Sequence, residues 1–294
     1  MILVAGATGR LRPVVDVLLA HGHAVRVTAR DPARPAAREL AARGAEVVRA
    51  DLDDPASLRA ASRGVDLVFA AGSPHQAGPD GEARHGINVA EAATAVGVGH
   101  LVFISGAGAD RPTGVPVFDS KHAVERRIRT LGLRHTILAP VYFMENAFNS
   151  WNLDALASGG FPLPLPPERP LQQLAIEDLA AVAALVLDRP GDFAGERLEL
   201  AGDELTGEEA AARLSRVTDQ PFVFQPVPAD ILPAGMRVLF EWLDRVGHHV
   251  DIPALRSRFA SVQWHSFERW AAGQTWPGRL DARRVLPSRS ISRA

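Results

Sequence analysis

The sequence predicts an α/β fold, a doubly wound parallel sheet followed by a smaller C-terminal α+β domain. Through residue 141, short and nearly continuous apolar runs alternate with amphipathic segments, which is typical of parallel strands covered by helices on both faces. A glycine-rich turn directly follows the first apolar run. After Val141 prolines interrupt the alternation, and a chain of 294 residues is long enough to add a second, smaller domain.

The first half of the chain alternates regularly between strand and helix. The predicted strands are MILVAGATG, AVRVTAR, AEVVRADL, VDLVFAAG, HLVFIS and RHTILAP. The predicted helices are VVDVLLAHG, ARELAARG, DPASLRAASRG, INVAEAATAVG and FDSKHAVERRIRTLG. Glycine or proline separates most of these elements, so each helix is expected to cross from one parallel strand to the next.

The second half has a different pattern. Residues 159–170 contain five prolines and predict a loop or lid without regular structure, next to a short helix near residues 146–157. The later predicted elements are the helix AIEDLAAVAALVLD, the strand ERLELAG, the helix TGEEAAARLSRVT, the strand FVFQPV and a long helix around PAGMRVLFEWLDRVG. Thr206 and Glu209 predict a capping box at the start of TGEEAAARLSRVT.

Composition and charge exclude several classes of function. The net charge of −2 and the pI near 6.6 predict no binding to nucleic acid or to a membrane. The absence of cysteine excludes disulfides, thiol catalysis and cysteine-ligated metals. We expect His21 with His23, and His248 with His249, to be solvated turn residues, and we predict no metal site. No basic segment precedes the N-terminal apolar run, so we expect a cytoplasmic protein.

The stretch VAGATGRLR carries the strongest functional signal. It joins the first strand to the first helix, and such a turn presents backbone N–H groups and the positive end of a helix dipole to phosphate. Gly6 allows the tight turn, and Gly9 lets a phosphate approach the backbone. The sequence therefore predicts a dinucleotide-binding site.

Several further motifs carry a resemblance to a known family. GATG at 6–9, ADLDD at 50–54, FISGAG at 103–108, FDSKHAVE at 118–125 and TILAPVYFMEN at 136–146 resemble the NmrA-like branch of the atypical short-chain dehydrogenases/reductases. The resemblance covers about residues 1–205 and is looser beyond them. It implies a Rossmann domain that binds NAD(P) and a smaller C-terminal domain that closes a cleft over the nicotinamide.

The resemblance and the change of pattern together predict the domain boundaries. Residues 1–141 are expected to form the dinucleotide-binding Rossmann domain, rejoined by about residues 172–203. Residues 142–171 and 204–294 are expected to form the smaller substrate or lid domain. We expect a monomer or a homodimer.

The chain departs from the family pattern at one position of the glycine turn. Arg12 stands where the third glycine of G-x-x-G-x-x-G belongs, and Pro13 follows it. That glycine normally allows close packing of helix and strand, so Arg12 is expected to push the helix outward or to aim its guanidinium at the cofactor. Pro13 fits a first helical turn, where its missing N–H has no helical partner to lose.

Arg30, at the end of the second strand, favours NADP(H) over NAD(H), because a guanidinium suits the 2′-phosphate. Arg10 in the phosphate turn is expected to support it, and Asp31 is an adjacent acidic residue. The complete predicted set of cofactor-binding residues is Gly6, Thr8, Gly9, Arg10, Leu11, Arg30, Asp51, Leu52, Ala71, Gly72, Lys121, Pro140 and Tyr142.

Lys121 is the only lysine among 32 lysine and arginine residues. Ordinary short-chain dehydrogenases carry Tyr-x-x-x-Lys, but here Val117 stands four residues before the lysine. A compact ammonium can hydrogen-bond ribose hydroxyls in a way that a guanidinium cannot copy, so a functional role is favoured for Lys121. The alternative is an exposed ion pair with Glu125 on the same helix.

The remaining candidate residues concern the proton donor and the substrate pocket. Tyr142, the only tyrosine, is predicted to supply the missing phenolic acid or to line the pocket. Ser105 is predicted to bind a carbonyl oxygen or to cap a strand. Asp119, a candidate helix N-cap, and His122 are further acid candidates. The predicted substrate-pocket residues are Phe118, His122, Phe143, Asn146 and Trp151, whereas Trp264 and Trp270 are predicted to be core.

These observations favour an NADPH-dependent reductase that transfers hydride to a small electron-poor acceptor: a quinone, enone, imine or ketone. The proton would come from Tyr142, Ser105 or water. One alternative is a non-catalytic NADP-sensing redox regulator that binds a partner protein, which the missing tyrosine and Arg12 favour. Another is a biosynthetic lyase, isomerase or cyclase that uses the same pocket.

Overall fold

A seven-stranded parallel sheet dominates the computed structural model, which describes residues 1–6, 9, 11–72 and 74–277, without the side chains of 74–77. The strands are β1 Ile2–Ala5, β2 Val25–Ala29, β3 Glu46–Arg49, β4 Leu67–Ala71, β5 His100–Ile104, β6 His135–Pro140, β7 Tyr142–Phe143, β8 Gly160–Leu163, β9 Leu171–Leu174, β10 Arg197–Leu200, β11 Asp203–Leu205 and β12 Val223–Pro226. The helices are α1 Arg12–Ala20, α2 Pro35–Ala42, α3 Pro55–Ser62, α4 Pro74–Ala95, α5 Pro116–Thr130, α6 Leu153–Ala157, α7 Ile176–Asp188, α8 Gly207–Thr218, α9 Ala234–Arg245, α10 Ile252–Arg258 and α11 Phe267–Ala272.

The strand order of the large sheet is β10-β6-β5-β4-β1-β2-β3, and every pairing in it is parallel. The chain runs outward from β1 to β3 and then returns to the other side of β1 with β4. This reversal confirms the predicted doubly wound sheet. Its central strands β1, β4 and β5 are buried on both faces, as their nearly continuous apolar runs predicted, whereas the edge strand β3 is partly exposed.

Contacts between residues divide the chain into two units. The first consists of Met1–Val141, Ile176–Ala201 and His248–Trp264, and contains the seven-stranded sheet. The second consists of Tyr142–Ala175, Gly202–Gly247 and the described residues from His265 onward. No described helix is both long enough and apolar enough to span a membrane.

The observed division differs from the predicted boundaries at residues 248–264. The sequence predicts them in the smaller domain, whereas the structure has them in the first unit. In the structure Phe259 stacks on Phe193 with ring centroids 5.9 Å apart, and Arg258 pairs with Glu196 at 2.6 Å. Both partners belong to the segment that leads into β10 and therefore to the first unit. Contacts between positions so far apart in the chain leave no periodic signal in the sequence.

The second unit contains two small sheets, with strand orders β11-β9-β7 and β12-β8. Strand β8 lies in the proline-rich stretch, so the prediction of a loop without regular structure was wrong there. Pro162 is tolerated because β8 pairs only with β12, which leaves one edge of each strand free of ladder hydrogen bonds. The short strands β9 and β11 were not predicted, because three or four residues are too few to show a period.

The helices of the second unit follow the sequence prediction more closely. The capping box of α8 is confirmed: Thr206 accepts from the N–H of Glu209, whose carboxylate accepts from the N–H of Thr206. The predicted short helix near 146–157 is confirmed only in part, since two 3₁₀ turns precede α6. Trp270 is 2% exposed at the centre of the core of this unit, as predicted, whereas Trp264 of the first unit is partly exposed.

Two histidines of the first unit, one buried and one partly buried, predict acid sensitivity. His100 is 2% exposed and its Nε2 lies 2.8 Å from the hydroxyl of Thr136; burial, with His135 and Arg134 nearby, lowers its pKa to about 4. Burial and the neighbouring His249 likewise lower the pKa of His248 to about 4. Both groups titrate near pH 6.5 when unfolded, so protonation favours the unfolded chain.

We therefore expect these two histidines to leave the free energy of unfolding unchanged above about pH 6.5 and to lower it as the pH decreases towards 4. His100→Gln keeps a polar partner for Thr136 but does not titrate, so its free energy of unfolding should fall less steeply between these pH values. Chemical denaturation at several pH values measures this. Identical slopes for the variant and the parent protein would contradict the assignment.

Candidate active site

The strand order places the candidate site at the carboxyl ends of β1 and β4. These two strands are neighbours in the sheet, and the order of the chain reverses between them. In open α/β sheets the crevice at such a reversal is where ligands bind, because the loops that follow the two strands diverge. The predicted phosphate turn follows β1, and Gly72 follows β4.

Gly6 brings the phosphate turn directly against the end of β4. Its φ is +88°, and a Cβ at this position would lie 2.8 Å from the carbonyl oxygen of Ala71. Both the backbone angle and this approach require glycine. At Gly9 no atom of the described residues beyond its chain neighbours lies within 4 Å of the place of a Cβ. Thr8 and Arg10, two predicted cofactor contacts, lie outside the described residues.

The guanidinium of Arg12 pairs with two carboxylates and is not aimed at the phosphate turn. Of the two expectations for this residue, the one that placed the guanidinium at the cofactor was therefore wrong. Arg12 is the first residue of α1, and its Nη1 donates to Glu39 of α2 at 2.8 Å, while Nε lies 3.9 Å from Asp16. The carboxylates draw the flexible side chain to the solvent-facing side of the helix. Val14, Val15 and Leu18 of α1 are 0% exposed, so the helix packs fully with the arginine in place of glycine.

The loop after β2 carries Arg30, which is exposed, and Asp31. The Asp31 carboxylate accepts a hydrogen bond at 2.9 Å from the N–H of Ala33. It therefore stabilises its own turn. The Asp31 carboxylate, next to Arg30 in the chain, thus makes a hydrogen bond within its own loop.

The loop after β3 carries Asp51 and Leu52. The Asp51 carboxylate accepts from the N–H of Asp53 at 3.0 Å, and the carbonyl oxygen of Leu52 accepts from the amide of Asn88 on α4 at 2.8 Å. Asp53 is itself held by Arg84. Because β3, β2, β1 and β4 are successive neighbours, these loops line one edge of the sheet together with Ala71 and Gly72.

Lys121 forms an ion pair with Glu82 of α4, a partner that the sequence analysis did not identify. Its ammonium donates to Oε1 of the carboxylate, and the hydroxyl of Ser120 donates to Oε2 at 2.8 Å. The Glu82 side chain is 1% exposed and that of Lys121 is 16% exposed. The carboxylate is therefore buried, whereas part of the lysine side chain reaches the surface.

Gly72 makes room for this pair, and Gly106 lies within ordinary van der Waals distance of it. A Cβ on Gly72 would lie 2.4 Å from Oε1 and 2.7 Å from Cγ of Glu82, so no side chain fits between β4 and the carboxylate. A Cβ on Gly106, which follows β5, would lie 3.5 Å from Cδ of Lys121. The ion pair therefore occupies the space beside the loops that leave β4 and β5, at the carboxyl edge of the sheet.

The alternative pairing of Lys121 with Glu125 is wrong, because Glu125 is 0% exposed and has other partners. Its carboxylate accepts from Arg129 at 2.7 Å, and from Nε of Arg197 of β10 at 3.2 and 3.3 Å. Arg197 also donates to the carbonyl oxygen of Gly106 at 2.8 Å. This second buried network, which the sequence analysis also missed, fixes α5 and the loop after β5 to β10.

Ser105 belongs to the network of Glu125. The serine is 2% exposed, and its hydroxyl donates to the Glu125 carboxylate. A hydroxyl has one proton to donate, so this bond leaves none for a substrate carbonyl. The structure therefore gives Ser105 a structural contact in place of either predicted role.

The two other acid candidates on α5 are also engaged. Asp119 is not the N-cap, which is Val115; its carboxylate accepts from the N–H groups of Thr113 and Gly114 at 2.8 and 3.1 Å. Nδ1 of His122 lies 3.1 Å from the carbonyl oxygen of Ala109. Both side chains therefore stabilise the loop that precedes α5.

The predicted pocket residues are divided between the two units. Phe118, in the first unit, is 7% exposed and meets His248 edge-on, with ring centroids 6.1 Å apart. Pro140, at the end of β6, also belongs to the first unit. Tyr142, Phe143, Asn146 and Trp151 belong to the second unit, where Tyr142 meets Phe240 edge-on at 6.0 Å and Trp151 is 54% exposed.

One feature of the sequence could have identified Glu82 as a buried charged residue. Residues 82, 86, 89 and 93 lie on one face of α4, and all four are buried. An acidic residue on the apolar face of a helix requires a buried partner, because an unpaired buried charge is strongly disfavoured. The identity of that partner, 39 residues further along the chain, was not readable from the pattern.

The burial of Glu82 predicts a measurable coupling with Lys121. Lys121→Met should lower the free energy of unfolding by about 3 kcal/mol, because it leaves the carboxylate buried without its counter-ion. Adding Glu82→Gln should recover part of this loss, and a double-mutant cycle from urea denaturation gives the coupling energy.

Arg127 and Glu91 provide a matched control between the same two helices. Their side chains pair at 2.7 Å but are 43% and 45% exposed, so the corresponding substitutions should cost below about 1 kcal/mol. Equal losses for the two pairs would contradict the distinction between a buried and an exposed ion pair.

Comparisons with known proteins agree with this architecture. The model of the NmrA-like family matches residues 1–252. The (4-alkanoyl-5-oxo-2,5-dihydrofuran-3-yl)methyl phosphate reductase of Streptomyces griseus is 35% identical over 233 residues, 78% of each chain. The NAD(P)H azoreductase of Xenophilus azovorans is 33% identical over 223 residues, 75% of each chain.

A solved structure is similar over nearly the whole fold. The NADPH-dependent quinone oxidoreductase of Escherichia coli, solved in complex with NADPH, superposes with a TM-score of 0.78 at 26% identity. The match covers 92% of this chain and 99% of that chain. The reversal of strand order and the glycine turn agree with the family model, which matches most of the chain. The chain therefore belongs to the NmrA-like family.

Proposed function

We propose that this protein is an NADPH-dependent reductase that transfers hydride to a small electron-poor acceptor, a quinone or an enone. The observation that carries the proposal is the buried Glu82–Lys121 ion pair beside Gly72 and Gly106. It holds an ammonium group at the edge of the sheet where family members bind their dinucleotide. The three relatives described above are all named as reductases or oxidoreductases, which supports the same class of reaction.

The residues at the crevice fit a dinucleotide. Gly6 draws the phosphate turn against β4, and Gly9 leaves its backbone open to a ligand. The loops that carry Gly72, Arg30 and Asp51 follow β4, β2 and β3, which with β1 form one continuous part of the sheet, so they are available to an adenosine moiety. When bound, the cofactor would supply the hydride.

Lys121 would bind the ribose next to the nicotinamide and polarise the acceptor. An ammonium has three N–H donors, and Glu82 accepts from one of them. Because the ion pair restrains the long lysine side chain, the remaining donors would be held in place before a ligand arrives. Lys121 has a compact ammonium that a planar guanidinium does not copy, which is consistent with the one lysine in an arginine-rich chain.

The contacts of the other candidate acids favour acceptors that are easily protonated after reduction. Ser105, Asp119 and His122 are all engaged with other groups of the first unit. Hydride addition to a quinone or an enone gives a phenolate or an enolate, which water or Tyr142 can protonate without a strong dedicated acid. Val117 in the usual position of tyrosine is consistent with such a substrate.

Two names among the relatives support this class of acceptor. The Streptomyces griseus enzyme is named for an alkanoyl-substituted unsaturated lactone, and the Escherichia coli enzyme for quinones. Both names describe conjugated carbonyl compounds. An imine or an unactivated ketone would require stronger protonation, so we place these acceptors second.

The test of the reaction is the loss of reduced nicotinamide absorbance with a panel of quinones and enones. Lys121→Met should lower kcat/KM by at least about 10²-fold, comparable to the loss of one stabilising donor at a reacting oxygen. Lys121→Arg should be similarly impaired, because the guanidinium keeps the charge but not the geometry. Arg127→Met, on the exposed face of the same helix, should leave turnover unchanged.

The outcome also separates the alternatives. If neither NADPH nor NADH binds, the reductase proposal is wrong. Binding without turnover on any acceptor would instead favour the redox-sensing regulator. Full activity in Lys121→Met would refute the role of the lysine while leaving the reductase assignment intact.

Arg30 is proposed to select NADPH through the 2′-phosphate. Asp31, the neighbouring carboxylate, is turned towards its own loop, so Arg30 is the side chain suited to the 2′ position. Arg30→Ala should weaken NADPH binding by about 10-fold or more and leave NADH binding nearly unchanged. Dissociation constants from fluorescence titration test this, and equal weakening for both nucleotides would contradict it.

A further inference from the structure

A cluster of two histidines and one aspartate lies outside the proposed active site. His21 ends α1, His23 lies in the turn before β2, and Asp188 is the last residue of α7. Nδ1 of His21 lies 3.1 Å from Oδ2 of Asp188, and Nε2 of His23 lies 2.5 Å from Oδ1. His21 and His23 lie in the connection between α1 and β2 and are partly exposed, as expected, but their contacts with Asp188 were not predicted.

The cluster is at the opposite edge of the sheet from the phosphate turn. His23 is two residues before β2, so the cluster lies at the amino ends of the parallel strands. Gly6 and Gly72 lie at the carboxyl ends. A ligand bound at the cluster would consequently not touch the dinucleotide crevice.

We propose that His21, His23 and Asp188 bind a divalent transition-metal ion, with Zn²⁺ as the preferred ion. Their ligand atoms all lie within 4.8 Å of one another. Two imidazole nitrogens and one carboxylate are donors that Zn²⁺ accepts readily, and water would complete a tetrahedral site. The side chains are 42%, 28% and 32% exposed, which leaves an open side for ion and water.

Two of the three distances between donor atoms are already near those of a tetrahedral site. Metal–ligand distances of about 2.0–2.2 Å in a tetrahedron separate the donor atoms by about 3.4 Å. The His21–Asp188 distance is already close to this value, and the His23–Asp188 distance would need to open by less than about 1 Å.

The bound ion would act on stability and not on hydride transfer. His23 and Asp188 are 165 residues apart in the chain, and they join the turn after α1 to the end of α7. An ion that binds only this folded arrangement stabilises it by mass action. The structure therefore assigns the cluster as a metal site that links the end of α1 to the end of α7.

The test is calorimetric titration of the untagged, EDTA-treated full chain with ZnCl₂. One equivalent should bind at the cluster, raise the Tm, and leave NADPH binding unchanged. Co²⁺ in place of Zn²⁺ should give the visible absorption of a tetrahedral site. His23→Gln can still hydrogen-bond to Asp188 but offers no imidazole, so it should weaken Zn²⁺ binding by at least about 100-fold.

His249→Gln is the control, because it removes a histidine from a second His pair without touching the cluster. Its Zn²⁺ affinity and its Tm shift should equal those of the parent chain. Absence of saturable Zn²⁺ binding would overturn the proposal and leave a hydrogen-bonded triad. Equal Zn²⁺ affinity in His23→Gln and the parent chain would also overturn it, since the ion would then be bound elsewhere.

Discussion

The buried ion pair between Lys121 and Glu82 is the interaction on which the candidate site depends. A carboxylate that is 1% exposed is stable only with a counter-ion and hydrogen bonds, and Lys121 and Ser120 supply them. The lysine depends on the carboxylate in turn, because the ion pair restrains its long side chain. Gly72 leaves the space that the Glu82 carboxylate occupies, because a Cβ there would collide with it.

Two close approaches organise the crevice around this pair. Gly6 contacts the end of β4 through the carbonyl of Ala71, and Gly72, the next residue, contacts Glu82. Gly6, the end of β4 and the ion pair therefore lie close together at the carboxyl ends of the strands. The network of Glu125 has a separate task, since it fixes the loop after β5 to β10 through Arg197. The resulting edge carries charged and polar groups, as a site that aligns a charged cofactor requires.

The sequence predicted the parts of this arrangement that are local in the chain. Alternating apolar runs predicted the sheet, a strand–glycine–helix turn predicted the position of the crevice, and residue usage singled out Lys121. Its partner Glu82 was missed because helical periodicity identifies a buried face but not what lies opposite. Arg12 was misjudged for a related reason: a long side chain follows its nearest carboxylate, Glu39, which only the fold brings close. Strand β8 was missed because proline content does not report that a strand has a free edge.

The most direct measurement uses the fact that Lys121 is the only lysine of the chain. Labelling with lysine that carries ¹³C at the ε-position gives one NMR signal, which comes from the group that we place in the crevice. Saturating NADPH should shift this signal, and Glu82→Gln should shift it in the free protein, because both change what surrounds the ammonium. An unchanged signal, under conditions where independent titration shows the nucleotide to be bound, would contradict the position and role of Lys121.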